Sequence, residues 1–228
     1  MMTNTTEVIE QMDVLVAQWQ ATGDDKALFL DCYRMMTGNV LMAIKAHGFN
    51  DSDWVERLLS HFADYYFEAL QDYQFNPDSA PQAWQLAHNA AADPHVTALQ
   101  KLLLGVNAHI NYDLVLTLVD LLADEWGQHN PAQRQERYTD HCQINQIIGQ
   151  TIDAVQDQVL EPAMPVMALV DSLLGPVDEF LISGLISQWR ELVWVNASGL
   201  LEMGDADQRT HRIAEIEQAV LRIGHMIW

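Results

Sequence analysis

Basic residues are scarce. Eleven Lys and Arg face 32 Asp and Glu, giving a formal charge of −21 at pH 7. A surface of that sign repels phosphate backbones and anionic lipid headgroups, and no Lys/Arg cluster offsets it. Neither nucleic acid nor a membrane is therefore expected as a partner, and the acid excess reads as a solubility feature. Cysteine is scarcer still. Cys32 and Cys142 lie far apart, and neither has a CxxC partner. That excludes a disulfide framework and a cysteine-based zinc site, and leaves two reduced thiols in a cytoplasmic protein as the expectation. Seven prolines and eleven glycines are few for 228 residues, whereas sheet proteins of this length carry more turn punctuation. No uninterrupted apolar run reaches about 18 residues, the length a membrane-spanning helix needs. The opening "MMTNTTEVIEQMDVL" is acidic and amphipathic, unlike a secretion signal. No phosphate loop, GxGxxG or GxSxG occurs.

What is present is helical patterning. Val8, Ile9, Met12, Leu15, Val16 and Trp19 repeat at helical spacing behind a Thr5/Thr6 cap, and Gly23-Asp24-Asp25 ends that segment. A second helix runs to Gly48, and a third starts at the Asp51 to Asp53 cap. After the loop "NPDSAP", a short fourth helix closes at Asp93-Pro94. The fifth runs from about Pro94 to Trp126, and Pro131 starts the sixth. Pro162 and Pro165 allow only a short seventh segment, Pro176 starts an eighth, and the last begins at "DADQ". Apolar residues make up 49% of the chain. No segment alternates with period two, and no repeat or long linker interrupts the pattern. The expected fold is one all-α domain over residues 1–228 with about eight or nine helices.

The chemistry is expected in "LLLGVNAHINYDLVLTLVDLL", residues 102–122. A helix that is apolar all round is buried, yet this one carries Asn107, His109, Asn111 and Asp113 in its middle. Residues four apart share a helical face, which pairs His109 with Asp113 and Asn107 with Asn111. Burying an unpaired polar group costs about 1–3 kcal/mol, so four such groups need organised partners. "DHCQIN" offers Asp140, His141 and Asn145 just before the apolar half of the sixth helix. The short "GQHNP" turn makes the fifth and sixth helices antiparallel neighbours. Asp113 lies about 14 residues before that turn and His141 about 11 after it, roughly 21 and 16 Å at about 1.5 Å per residue. The two patches are thus expected at similar depth, in one buried polar site between two central helices.

Two chemistries fit such a site. His109, Asp113 and His141 can ligate one divalent metal, Zn²⁺ or Fe²⁺, with Asn145 or Asp140 completing the shell. A metal so held activates water, which points to a hydrolase acting on a small or largely apolar substrate. Asn107, Asn111, Asn145 and Arg190 would then orient ligands or substrate. Without a metal, Asp113 orients His109 through one ring nitrogen and the other acts as general base. The alternative to an enzyme is a non-catalytic helical protein whose His/Asp/Asn network fixes the packing or binds an apolar small molecule. The oligomeric state is left open by the sequence.

"LLLGVNAHINYDL", followed by "DHCQIN" and "WRELVWVNASGL", resembles an all-helical bacterial family of unknown function with an "NAHINxDL"-like signature. The likeness spans roughly residues 25–202. It implies a site at Asn107, His109, Asn111 and Asp113, with His141, Asn145, Arg190 and Trp194 more loosely attached, and it implies no activity. The "HIxxD" of His109 and Asp113 is also similar to the helical ligand pair of the zinc-dependent phospholipase C and P1 nuclease group. That group uses further histidines and an N-terminal Trp ligand, and this chain has no Trp at its start.

Overall fold

The computed structural model describes residues 5–155, 158–159 and 177–228. In chain order these form α1 (Thr5–Thr22), α2 (Lys26–Lys45), α3 (Ser52–Phe75), a 3₁₀ turn (Pro77–Ser79) and α4 (Gln82–Ala92). They continue as α5 (Ala98–Ala108), a π turn (His109–Asp113), α6 (Leu114–Leu122), α7 (Pro131–Val155), α8 (Val177–Glu202) and α9 (Ala206–Ile227). The protein is all-helical, with no strand among the described residues. The short segment expected between Pro162 and Pro176 lies outside them.

Local chemistry sets most boundaries. Gly23 takes φ 70°, which releases the chain from α1. The α2 helix stops at Lys45 rather than Gly48 because His47 adopts φ 55°, a left-handed conformation that cannot continue a helix. The Asp51 carboxylate accepts from Trp54 N at 2.9 Å and opens α3. Thr97 and Gln100 form a reciprocal capping box at the start of α5, and Asp205 caps α9 through Gln208 N at 2.9 Å. The expected loop "NPDSAP" holds the 3₁₀ turn.

The α5–π–α6 rod is the central element. Its 25 residues are long and apolar enough by composition to cross a membrane, yet 78% of its most apolar window is buried inside the protein. Leu104, Leu114, Val115 and Leu118 are among the least exposed residues of a connected core that includes residues of every α-helix. Helices α2, α3, α4, α8 and α9 pack around the rod. One topological expectation is corrected. Helix α7 does not lie along the rod: α8 packs on both α6 and α7, and α2 on both α5 and α7, so these two helices bridge them. A short turn brings two helix ends together, but it does not force the shafts to stay in contact once other helices offer larger apolar faces.

Candidate functional site

The buried polar residues of the rod sit at its one irregularity. Leu114 N–H bonds back to the His109 carbonyl, five residues earlier, which defines the π turn. Such turns insert an extra residue into a helix and recur at functional sites. The turn brings His109 Nδ1 within 2.9 Å of Asp113 Oδ2. The same carboxylate oxygen accepts the indole N–H of Trp84, from α4, at 2.9 Å. Thr117 donates to the Asp113 carbonyl at 2.8 Å. On the other side of the imidazole, Phe62 of α3 stacks at 3.5 Å between ring centroids and 7° between planes. The rings of Phe29 and Tyr33 meet His109 edge-on. The expected His–Asp pairing is thus present, clamped by an aromatic box.

Burial governs the charge of this pair. It pushes the Asp113 carboxyl well above its usual range, opposed by the Trp84 N–H, and it pushes the His109 imidazole well below its own. The net-neutral pair is therefore favoured. It carries two protons: one on the line between Nδ1 and Oδ2, the other on His109 Nε2 or Asp113 Oδ1. His109 Nε2 is buried and has no hydrogen-bond partner among the described residues.

His109 lines an apolar cavity of about 90 Å³. Its wall takes Phe29, Cys32, Tyr33 and Val40 from α2, Leu58 and Phe62 from α3, Val106, Ile110 and Leu114 from the rod, Ile144 and Ile148 from α7, and Ile186 and Arg190 from α8. The rod and α7 thus both contribute to the wall of this cavity. Cys32 is no nucleophile here, because burial and then Asp31 push its thiol up to about 12. The buried Tyr33 hydroxyl makes no hydrogen bond of good geometry to a described residue.

The remaining candidate residues fall into separate groups. Asn111 Nδ2 donates to Asn107 Oδ1 at 2.9 Å, and Asn107 Nδ2 donates to the Val220 carbonyl of α9 at 3.0 Å. This pair ties the rod to α9. His141 pairs with α8: its Nε2 lies 3.0 Å from the Arg190 carbonyl oxygen and its Nδ1 3.3 Å from Arg190 Nη2. A carbonyl only accepts, so Nε2 donates and Nδ1 accepts. The neutral ring this requires agrees with burial, then Arg190, holding His141 well below its usual range. Arg190 Nε donates to Asn145 Oδ1 at 2.6 Å, and Nη2 to the His141 carbonyl at 2.8 Å. Asp140 accepts from Asn50 N at 2.7 Å and Asp51 N at 2.9 Å, which fastens the loop before α3.

The expected three-ligand metal set is not gathered among the described residues. No group of three or more His, Cys, Asp and Glu among the described residues could hold a metal ion. Both ring nitrogens of His141 are engaged with Arg190. Asp140 is spent on backbone amides. His61 and Tyr65 both bond Asp120 at the surface. Trp194 packs on the His141 ring at 5.4 Å, and Glu191 accepts the Tyr138 hydroxyl at 2.7 Å. Sequence reasoning missed Trp84 and Phe62. Neither lies at a spacing that links it to the rod, and a lone aromatic in a short helix carries no partner signal.

The likeness to the phospholipase C and P1 nuclease group finds no support in this geometry or in any match. No curated protein matches the chain, and no solved structure does. Residues 5–228 match the model of DUF5995, a family of unknown function, and the chain belongs to that family.

Proposed function

We propose that the protein binds a small, largely apolar molecule in the cavity beside His109. One observation carries this reading: an apolar cavity of about 90 Å³ is lined by His109, whose buried Nε2 has no hydrogen-bond partner among the described residues. An empty cavity forfeits dispersion contacts, and an orphaned buried donor or acceptor costs about 1–3 kcal/mol. Ligand sites are built in this way, with an apolar wall and a few placed polar groups. A cavity near 150 Å³ accepts benzene, so this one suits a body of about three or four non-hydrogen atoms. Xenon provides the test. Under pressure it should occupy the cavity in wild-type protein and be excluded by I148F, which fills the space from α7. A wild-type cavity that stays empty under xenon would sink the reading.

The dyad geometry favours a second reading. Nδ1 anchored to a carboxylate and Nε2 unengaged is the arrangement of a general base. Acting as a base requires the pair to lose one proton, so turnover of a small ester or amide should rise with pH. H109Q should abolish turnover and leave the fold intact. An unchanged rate in folded H109Q would remove the catalytic reading and leave binding untouched.

A further inference from the structure

The α8 helix presents an apolar ridge to solvent. Leu192 and Val195 are 57% and 64% exposed, and Leu185, two turns before Leu192, is 37% exposed. With Gln188 and Gly199, also exposed, they recur at steps of three and four along one face of the helix. Other exposed apolar side chains, such as Val14, Met42 and Phe75, stand singly on three different helices, which is ordinary for a protein surface. Beside the ridge, α8 and α9 border an open groove of about 570 Å³. Leu192 and Asn196 line it from α8, and Ala219, Arg222 and Ile223 from α9.

We infer that this face joins two copies of the chain, the ridge of each seated in the groove of the other. A two-fold contact uses the same patch on both partners, so it needs a projection and a recess side by side. Charge selects a second copy as the occupant. From Ser183 to Leu201 the one exposed charged side chain is Glu191, and interface cores are depleted of charge in this way. Two chains of formal charge −21 repel wherever their acidic surfaces meet, so a nearly uncharged face is where they can approach. A basic partner would be drawn instead to acid-rich faces such as that of α1, where Glu10 and Asp13 are exposed. The two rim charges fit the same assembly. Glu191 and Arg222 each form no ion pair with a described residue. By helical rotation Glu191 and Asn196 flank the ridge on opposite sides. Seating the ridge in the partner's groove therefore carries the Glu191 edge of one copy toward the Arg222 wall of the other.

Sedimentation velocity of the full chain from about 5 to 200 µM tests the inference, with wild-type protein expected to be dimeric at the upper end. L192E and V195E should each shift it to monomer with an unchanged circular dichroism spectrum, because both side chains are more than half exposed. R222E should weaken the dimer by about threefold, the range of a surface ion pair. V14E, which places the same charge on α1, should leave the dimer intact. NOEs between labelled and unlabelled copies at the Leu192 and Val195 methyls give a check that needs no variant. A wild-type chain that stays monomeric at the highest concentration overturns the inference. So does a dimer that persists in both L192E and V195E, or one that shows no intermolecular NOE at these methyls.

Discussion

Trp84 and Asp113 provide the sharpest test of how the dyad is held. Both are about 1% exposed, and the indole N–H meets Oδ2 at 2.9 Å. W84F removes the donor and part of the indole volume. A hydrogen bond to an ionisable buried group contributes roughly 1.5–3 kcal/mol, and the lost volume adds about 1 kcal/mol. The single substitution should thus cost about 2.5–4 kcal/mol. For a chain of this size that lowers Tm by roughly 5–16 °C. The bulk change is separated from the bond by a double-mutant cycle with D113L, measured by urea unfolding at pH 7. In D113L the indole N–H already lacks its acceptor, so adding W84F should cost at least about 1 kcal/mol less than it does in wild type. Additivity within about 0.5 kcal/mol would show that the bond does not couple the two residues, and the clamp argument would fail.

Other outcomes follow from the same packing. N145A leaves the Arg190 Nε without its 2.6 Å acceptor and should lower unfolding stability by about 1.5–3 kcal/mol. G105A places a Cβ 2.6 Å from the Phe29 ring, so the ring that abuts His109 must shift; a loss of about 1–3 kcal/mol and a changed His109 NMR signal are expected. The surface pair of His61 and Asp120 should show a pH window. Its hydrogen bond to Asp120 raises the His61 pKa, so that contribution is full below the usual 6.5 and fades as pH rises through the raised value. The same bond lowers the Asp120 pKa, so its contribution is full above the usual 3.8 and fades as pH falls through the lowered value. H61Q should therefore cost most between these limits, by under about 1 kcal/mol because both groups meet solvent. A cost that is flat from pH 5 to pH 9 would contradict the pairing.

The sequence made local pairings legible and long-range ones much less so. His109 with Asp113 and Asn107 with Asn111 follow from helical spacing alone, and the structure joins both pairs at 2.9 Å. Helix ends were readable at Asp51 and Pro131, whereas the fifth helix, expected from about Pro94, starts behind the Thr97 cap instead. His47 was not readable, because nothing in its side chain announces a left-handed backbone. The depth argument for His141 assumed that a short turn implies contact along the helices. It failed because α8, which starts 55 residues after α6 ends, packs on both α6 and α7. The imidazole of His141 consequently meets Arg190 and not His109. Arg190 itself was within reach of sequence reasoning as a lone cation on an apolar helix, but only packing could show that its neighbours are neutral.

The π turn has a consequence for changes in chain length. Each α-helical residue turns the chain by about 100°. Deleting one residue within 109–113 would restore a regular helix and rotate α6 by about that angle against α5. Leu114, Val115 and Leu118, all within 1% of full burial, would then leave their places together. A one-codon deletion here should therefore be far more damaging than one in the surface turn at residues 127–130. The rod tolerates its apolar surround on every side because its two halves are held out of phase by a single extra residue.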